Sequence, residues 1–282
     1  MPVMSRKFAV LGNPVEHSLS PVIHQQFARQ FGHNIEYSRQ RLEPESFAQY
    51  VRDFFASGGG GLNVTVPFKL LAHQCADSLH ASAQHAGAAN TLTLRENVIT
   101  AWNTDGAGLV SDLTGRCDLT LAAKKILILG AGGAAQGIIG PILDCGPMTL
   151  TLANRTQAKA EQLLRRTASL YPEVDLYADS LEGLAASERS FDLIINSTSL
   201  GLDGGEVTVS GDIAAGAFCY DLSYGESAAF ARWASQVSAS GVADGLGMLV
   251  EQAALSYEIW FGVKPETAIV HKRLAEQLDL ND

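Results

Sequence analysis

Residues 124–135 have the sequence KKILILGAGGAA. The run ILIL is short, wholly aliphatic and followed directly by glycine, which is typical of a buried strand in a parallel sheet. Gly130 permits a tight turn after such a strand, and Gly132 lets the backbone approach a pyrophosphate. Ala135 stands where the dinucleotide-binding fingerprint accepts glycine or alanine for close packing of helix on sheet. The stretch therefore predicts a strand, turn and helix that bind a dinucleotide.

The segments on both sides continue this alternation of strands and helices. Downstream, strands are predicted in TLTLANR, FDLIINST and AFCYDLSY, with the helix TQAKAEQLLRRTASL after the first of them. Upstream, strands are predicted in KFAVL, IEYSRQRL and LNVTV, followed by a helical segment at 68–86 and a hairpin that turns at Arg95 and Glu96. Repeated βαβ units predict an α/β protein with mainly parallel sheets. The tail from about Leu246 is helical and adds no strand, which indicates that it leaves the second unit.

The end of the strand after the glycine loop bears on the choice of dinucleotide. An NAD site is expected to place Asp or Glu there, on the ribose 2′-hydroxyl. This chain instead has Asn154, Arg155 and Thr156, with Lys159 one helical turn further on. A guanidinium offers a planar pair of donors to a 2′-phosphate, so the pattern favours NADP. A solvated arginine at a helix start is the alternative.

A second informative stretch is GLNVTVPFK at residues 61–69. The run NVTV alternates polar and apolar side chains, which predicts a half-buried strand that stops at Pro67. Lys69 then lies just past the strand end, where α/β proteins concentrate their chemistry. A lysine held there can transfer a proton, and Asp105 in NTDG can orient it. The alternatives are a surface lysine and a carboxylate that caps the following helix.

Composition and charge exclude several classes of function. The 282 residues carry a formal net charge of −10, and without a cluster of Lys and Arg such a chain is a poor nucleic-acid binder. Four widely spaced cysteines indicate single thiols in a reducing compartment, so a cytoplasmic location is expected. The seven histidines lack paired ligand spacing, which predicts no metal site.

Residues 126–143 carry no charge, but their glycines and Pro141 favour strand, turn and helix over a membrane span. No secretory signal is expected.

Several motifs together resemble the shikimate dehydrogenase family, in the family's order and over almost the whole chain. They are GNPVEHSLSP at 12–21, NVTVPFK at 63–69, NTDGAG at 103–108, GAGGAA at 130–135, NRTQAK at 154–159 and LGMLVEQAA at 246–254. The resemblance implies that the C-terminal tail packs back on the first domain. It thereby implies a mainly parallel-sheet substrate domain at 1–105 plus about 246–282. A Rossmann-like, doubly wound NADP domain is expected at 106–245, with a cleft between the two.

The resemblance also implies roles for single residues in a reversible, NADPH-dependent reduction of 3-dehydroshikimate to shikimate. Lys69 and Asp105 match the family's catalytic pair. The implied ligands of the small-molecule substrate are Ser18, Ser20, Asn63, Thr65, Asn90, Tyr224 and Gln252. The expected NADP contacts are Gly130, Ala131, Gly132, Gly133, Ala134, Asn154, Arg155, Thr156, Lys159, Thr198, Leu222 and Gly245. Plain structural alternatives are an N-cap role for Ser20, a bond from Asn63 to strand-end backbone, and packing of Tyr224.

Rival functions share parts of this pattern. A quinate/shikimate dehydrogenase of broader specificity often uses NAD, against which Arg155 and the missing acid argue. A non-catalytic relative that binds shikimate needs no proton-transfer lysine, so Lys69 and Asp105 count against it. Tetrahydrofolate dehydrogenases share the fold. The serine motif, which is HSLSP at 17–21 with Ser18 and Ser20, argues against them. The segment YDLSYG departs from the strand ending expected for the family. The departure concerns the contacts that the family resemblance implies for Leu222 and Tyr224. Neither a membrane nor a nucleic acid is an expected partner, and monomer and homodimer stay open.

Overall fold

The computed structural model describes residues 5–187, 189–198 and 209–279. The chain forms two compact units, of which unit 1 is Met1–Gly108 with Leu249–Asp282 and unit 2 is Leu109–Met248. The divisions fall inside two helices, α5 (Asp105–Thr114) and α11 (Leu246–Phe261). The boundaries expected from sequence lie three residues earlier, at the start of each helix.

Unit 1 is built on a mixed sheet with the order β2-β1-β3-β5-β6-β4. Its strands are β1 (Arg6–Gly12), β2 (Ile35–Arg41), β3 (Gly61–Val64), β4 (Ser78–Leu79), β5 (Thr91–Arg95) and β6 (Val98–Trp102). Its helices, besides the portions of α5 and α11, are α1 (Ser20–Phe31), α2 (Pro44–Ala56), α3 (Lys69–Cys75), α4 (Ala81–Ala86) and α12 (Ala268–Asp279). The short strand β4 interrupts the segment 68–86 that was expected to be wholly helical.

The hairpin of β5 and β6 turns one residue later than expected. Arg95 pairs with Val98, so Glu96 and Asn97 form the two-residue loop, with φ of 50° and 61°. Two positive φ values give a loop whose twist matches that of the flanking strands. Strand β5 runs antiparallel to β3 as well, whereas β1 pairs in parallel with β2 and β3.

Strand β3 departs from the half-buried strand expected for the run NVTV. It ends at Val64, and all four of its residues are buried, including Asn63. The reason is its central place in the sheet, between β1 and β5, where both faces are covered. The expectation of a solvent-facing side was wrong because a polar side chain in a strand can also be buried when it is hydrogen-bonded.

Unit 2 is a doubly wound sheet in which every pairing is parallel, with the order β12-β11-β10-β7-β8-β9. Its strands are β7 (Lys125–Leu129), β8 (Thr149–Ala153), β9 (Asp175–Asp179), β10 (Leu193–Asn196), β11 (Phe218–Asp221) and β12 (Gly241–Ala243). Its helices are α6 (Gly133–Leu143), α7 (Gln157–Ala168), α8 (Leu181–Ala185), α9 (Gly211–Ala214) and α10 (Ala229–Ala234), with a 3₁₀ turn at Gly225–Ser227. Strand order reverses between β7 and β10, the switch point at which doubly wound folds bind ligands.

The run ILIL explains the position of β7 at the centre of this sheet. Ile126 and Ile128 belong to one apolar cluster, while Leu127 and Leu129 belong to a second. Since successive side chains of a strand point to opposite faces, an uninterrupted apolar sequence is typical of a strand covered on both faces. None of the helices in the described residues is long and apolar enough to cross a membrane.

Candidate active site

The predicted catalytic residues Lys69 and Asp105 form an ion pair in unit 1. Lys69 begins α3 after the turn that follows β3, and Asp105 begins α5 after β6. The distance from Lys69 Nζ to Asp105 Oδ2 is 2.7 Å. The Lys69 side chain is 33% exposed and that of Asp105 15%. The ammonium is therefore fixed by the carboxylate yet still open to a ligand.

The second oxygen of Asp105 is held by Asn90. Asn90 donates through Nδ2 to Asp105 Oδ1 at 2.9 Å, while its own Oδ1 accepts the Thr104 backbone N–H at 2.9 Å. The carboxylate thus has a separate donor on each oxygen. The backbone N–H at the start of α5 is instead satisfied by Asn103 Oδ1, at 3.0 Å from Asp105 N. Asp105 is thus the first residue of α5, and its own N–H is bound by Asn103, which the sequence analysis did not single out.

Gln252 reaches the same cluster from α11. Its Oε1 lies 3.2 Å from Asn90 Nδ2, and its backbone carbonyl accepts from Thr104 Oγ1 at 3.0 Å. The structure accordingly brings together four residues that the resemblance linked to one site. They are Lys69, Asn90, Asp105 and Gln252.

Asn63 lies beneath this cluster with its side chain fully engaged by the protein. Its Nδ2 has three acceptors, namely the Asn90 carbonyl at 3.2 Å, Thr91 Oγ1 at 3.1 Å and Ser256 Oγ at 3.0 Å. Its Oδ1 accepts from the Tyr37 hydroxyl at 2.7 Å. Two amide hydrogens cannot serve a further acceptor, so these contacts support the alternative in which Asn63 binds backbone and neighbouring side chains.

Ser256 and Tyr37 are polar residues of this network that sequence reasoning missed. Ser256 is fully buried on α11 and lies 2.7 Å from Thr91 Oγ1. It follows Gln252 by four residues, and that spacing places both on one helix face. The spacing was the available signal, but an isolated serine in an apolar helix carries little information.

The serine motif forms a compact polar turn at the start of α1. Ser18 Oγ donates to Ser20 Oγ at 3.1 Å and accepts the Ser20 backbone N–H at 3.3 Å. The expectation that Ser20 is the N-cap was wrong, because α1 begins at Ser20 itself and the cap position is Leu19, without a side-chain cap. Nearby, the Thr65 backbone N–H bonds to Leu11 O at 2.9 Å. Thr65 stands one residue past β3, in the turn that leads from the end of this strand to Lys69.

The glycine loop of unit 2 has room at the start of α6. Gly130 has φ of 99°, and a Cβ there would also press on Ser197 Oγ at 2.9 Å. At Gly132 and Gly133 a Cβ would meet no atom within 4 Å, so the first turn of α6 opens onto free space. Ala135 is fully buried in the core. Free backbone N–H groups at a helix N-terminus are the usual binding site of a pyrophosphate.

Adjacent to this loop, the end of β8 carries the basic residues predicted to select NADP. Ala131 N–H donates to Asn154 Oδ1 at 3.2 Å, which joins the two loops, and Asn154 Nδ2 bonds to the Thr156 carbonyl at 2.9 Å. Arg155 and Lys159 are exposed, and neither pairs with a carboxylate among residues 5–187, 189–198 and 209–279. This donor set fits a pyrophosphate beside α6 and a 2′-phosphate beside Arg155. Ala134 lies in the first turn of α6.

Three further predicted cofactor contacts lie at the ends of other strands of unit 2. Thr198 donates through Oγ1 to Asn196 Oδ1 at 2.6 Å, just after β10. Leu222 follows β11, and its N–H bonds to the Asn196 carbonyl at 2.9 Å. Gly245 follows β12, and a Cβ there would overlap the Leu222 carbonyl oxygen. The remainder of the NSTSLG loop, Ser199 to Gly201, lies outside the described residues.

Tyr224 belongs to unit 2 and is half-buried next to the 3₁₀ turn. Burial raises the pKa of its phenol, and the nearby Asp244 carboxylate adds to that shift. The phenol therefore stays protonated at neutral pH and can donate a hydrogen bond. No group of three or more His, Cys, Asp or Glu side chains suited to a metal occurs in the part of the chain that the structure describes.

Known proteins resemble this chain over almost its whole length. The model of the shikimate dehydrogenase substrate binding domain matches residues 10–92, that of shikimate / quinate 5-dehydrogenase matches 113–201, and that of the shikimate 5′-dehydrogenase C-terminal domain matches 245–275. The shikimate dehydrogenase (NADP(+)) of Methylobacillus flagellatus is 46% identical over 94% of this chain and 97% of its own length. The protein of the same name from Alkalilimnicola ehrlichii is 46% identical over 95% and 97%. A crystal structure of a shikimate dehydrogenase in complex with NADP+ covers 97% of this chain and 96% of its own, with TM-score 0.86 and 29% identity.

The fold and the glycine loop define an α/β protein of the dinucleotide-dependent dehydrogenase class, with a Rossmann-like unit and a mixed-sheet unit. Within that class, the chain belongs to the shikimate dehydrogenase family.

Proposed function

We propose that this protein catalyses the reversible, NADP-dependent interconversion of shikimate and 3-dehydroshikimate. The observation that carries the proposal is the ion pair of Lys69 and Asp105 in a member of this family. Binding of the substrate alone requires no proton-transfer group, whereas oxidation of an alcohol does.

Lys69 holds or takes the proton of the reacting hydroxyl. In the direction of reduction, the ammonium donates a proton from Nζ to the carbonyl oxygen as that oxygen gains negative charge. In the reverse direction, the neutral amine accepts the hydroxyl proton. Asp105 fixes Nζ in place through Oδ2, and Asn90 prevents the carboxylate from rotating by holding Oδ1. Preorganised groups of this kind lower the barrier because they need not reorient during the reaction.

The remaining polar groups of unit 1 bind and orient the substrate. Ser18, Ser20, Thr65 and Gln252 offer hydroxyl and amide groups suited to a carboxylate and ring hydroxyls. Asn63 and Asn90 take a supporting role beside these ligands, because the amide hydrogens of both are already used by the protein. Tyr224 is a further substrate ligand that the family resemblance implies, through its phenol donor.

NADP supplies or accepts the hydride when it is bound. The backbone of Gly130–Ala134 would hold its pyrophosphate, and Arg155 with Lys159 would hold its 2′-phosphate, with Asn154 and Thr156 shaping that loop. Thr198, Leu222 and Gly245 complete the proposed set. We also infer a cytoplasmic location, which the four unpaired thiols support.

One spectrophotometric experiment tests the proposal against its rivals. Shikimate and quinate are each offered with NADP+ and with NAD+, and the reduced nicotinamide is followed by its absorbance. We expect turnover with shikimate and NADP+ to exceed the other three combinations at least tenfold in kcat/KM. Comparable rates with quinate and NAD+ would identify the broader quinate/shikimate dehydrogenase. No turnover in any combination would leave a non-catalytic binding protein.

A further inference from the structure

A guanidinium group braces the serine motif from the neighbouring strand. Arg39 on β2 donates to the Ser18 backbone carbonyl twice, through Nε at 2.9 Å and Nη2 at 2.7 Å. The same residue, Ser18, contacts both the hydroxyl and the backbone N–H of Ser20. The position of the two serine hydroxyls therefore depends on Arg39 as well as on the start of α1.

Arg39 is also an uncompensated positive charge. Within the described residues no carboxylate lies at ion-pair distance from it. Arg41, two residues further along β2, differs in this respect because it pairs with Glu16 at 3.5 Å. Lys69 is likewise neutralised, by Asp105. In a chain with a formal net charge of −10, this guanidinium brings positive charge next to the serine motif, since it bonds to the Ser18 carbonyl.

The braced turn lies on the same edge of the unit 1 sheet as the ion pair. β1 pairs with β2 on one side and with β3 on the other. Directly after β1, the Asn13 backbone N–H bonds to the Val66 carbonyl at 3.1 Å, within the turn that leads to Lys69. The Ser18 turn and the Lys69 turn thus follow adjacent strand ends, and both can face one small ligand.

We propose that Arg39 is a positioning and specificity-determining residue for the carboxylate of the substrate, an inference that rests on the function proposed above. A substrate with a carboxylate at one end and a reacting hydroxyl at the other has to be oriented. The Lys69 end offers a carboxylate no net positive charge, because Lys69 is paired with Asp105. Arg39 favours the carboxylate at the serine end, through its positive charge and through its two hydrogen bonds to the Ser18 carbonyl.

The test compares Arg39→Gln with Arg41→Gln, which removes the same formal charge from the same strand. Both variants are assayed with NADP+ and either shikimate or its neutral methyl ester. For Arg39→Gln we expect KM for shikimate to rise about tenfold, the loss typical of a charge-assisted contact. We expect its kcat, its KM for NADP+ and its KM for the ester to stay within twofold of the wild type. Arg41→Gln frees the Glu16 carboxylate, but that ion pair is long and exposed on both sides, so its KM for shikimate should change less than threefold and its other constants should match the wild type.

Arg39→Lys keeps the charge but cannot donate two hydrogen bonds from a planar group. Its KM for shikimate should therefore lie between that of the wild type and that of Arg39→Gln. A KM that rises equally for acid and ester in Arg39→Gln would overturn the proposal in favour of a purely structural brace. An unchanged KM, or an equal change in Arg41→Gln, would also overturn it. If the wild-type protein turns over neither compound, the proposed function itself fails. In that case calorimetric titration with shikimate alone tests the role of Arg39 separately. Arg39→Gln must then still bind shikimate more weakly than Arg41→Gln does.

Discussion

The sites proposed in the two units rely on polar groups of different kinds. In unit 1 the groups are side chains, and Asp105 is held by Lys69 and Asn90 on separate oxygens. In unit 2 the central groups are backbone N–H groups at the start of α6, exposed by a loop with Gly130 at φ of 99°. Side-chain chemistry is lost by changing one functional group, whereas a backbone site is lost by changing the conformation of its loop.

This difference predicts separable defects. A substitution in the unit 1 cluster should affect proton transfer and leave dinucleotide binding intact. A substitution in the glycine loop should affect dinucleotide affinity and leave the proton-transfer groups in place. Each variant below tests one side of this division.

The largest expected effect follows from Lys69→Met, which keeps the length of the side chain and removes the amine. We expect kcat to fall about 1,000-fold, within the range for loss of a general acid or base. KM for shikimate should change less than threefold, as measured by initial rates with NADP+. Lys124→Met is the control, because Lys124 also forms an ion pair, with Asp192 at 3.2 Å. Near-normal turnover in Lys69→Met would remove this residue from the mechanism.

The second effect follows from Gly130→Ala in unit 2. Alanine at this positive φ costs about 1–2 kcal/mol, and its Cβ presses on Ser197 as well. We expect affinity for NADP+ to fall about 30-fold in a fluorescence titration, while shikimate binding stays unchanged. Gly146→Ala is a matched control, because Gly146 also has a positive φ of 65° but an unobstructed Cβ position. Equal losses of NADP+ affinity in both variants would show that the effect is general destabilisation.

A smaller change is expected from Arg155→Ala, which removes a side chain from the unit 2 site and leaves the glycine loop alone. The ratio of kcat/KM for NADP+ over NAD+ should fall about tenfold or more, since a guanidinium–phosphate contact is charge-assisted. Arg166→Ala removes an equal charge from the far end of α7 and should leave the ratio unchanged. A preference for NADP+ that survives in Arg155→Ala would assign the selection to other residues.

The last expected effect concerns stability instead of activity and lies in the core of unit 1. His24 is fully buried, stacked on Tyr37 with ring centroids 4.7 Å apart, and burial lowers its pKa from 6.5 to about 3. Between these values the unfolded chain binds a proton at this histidine and the folded chain does not, so stability falls as pH falls through that window. We expect a loss of up to about 2 kcal/mol between pH 6.5 and pH 5 from this group.

Urea unfolding of His24→Phe at the two pH values checks this expectation. The pH-dependent loss should shrink in this variant and persist in His85→Phe, which alters an exposed histidine. Identical pH dependence in wild type and His24→Phe would show that His24 contributes nothing to it.

The sequence was more informative about unit 2 than about unit 1. The aliphatic run at β7 and the glycines after it report backbone requirements directly, since few other residues fit a covered strand or a positive φ. Strands β9 and β12 were missed, because β9 is a polar edge strand and β12 has only three residues.

In unit 1 the decisive contacts are between side chains far apart in sequence. Ser256 meets Asn63 across 193 positions, and no local pattern marks such a pair. The burial of Asn63 misled the interpretation of β3, because alternation assigns polar residues to solvent. Arg39 was missed for the same reason, since an arginine on a strand resembles any other solvated charge.

The affinity of the Lys69→Met protein for NADP+, measured by isothermal titration calorimetry, tests the division between the two units most directly. We expect a Kd within twofold of the wild-type value in a protein whose turnover is about 1,000-fold lower. A Kd weakened tenfold or more would contradict it, because the amine of unit 1 would then be part of the dinucleotide site.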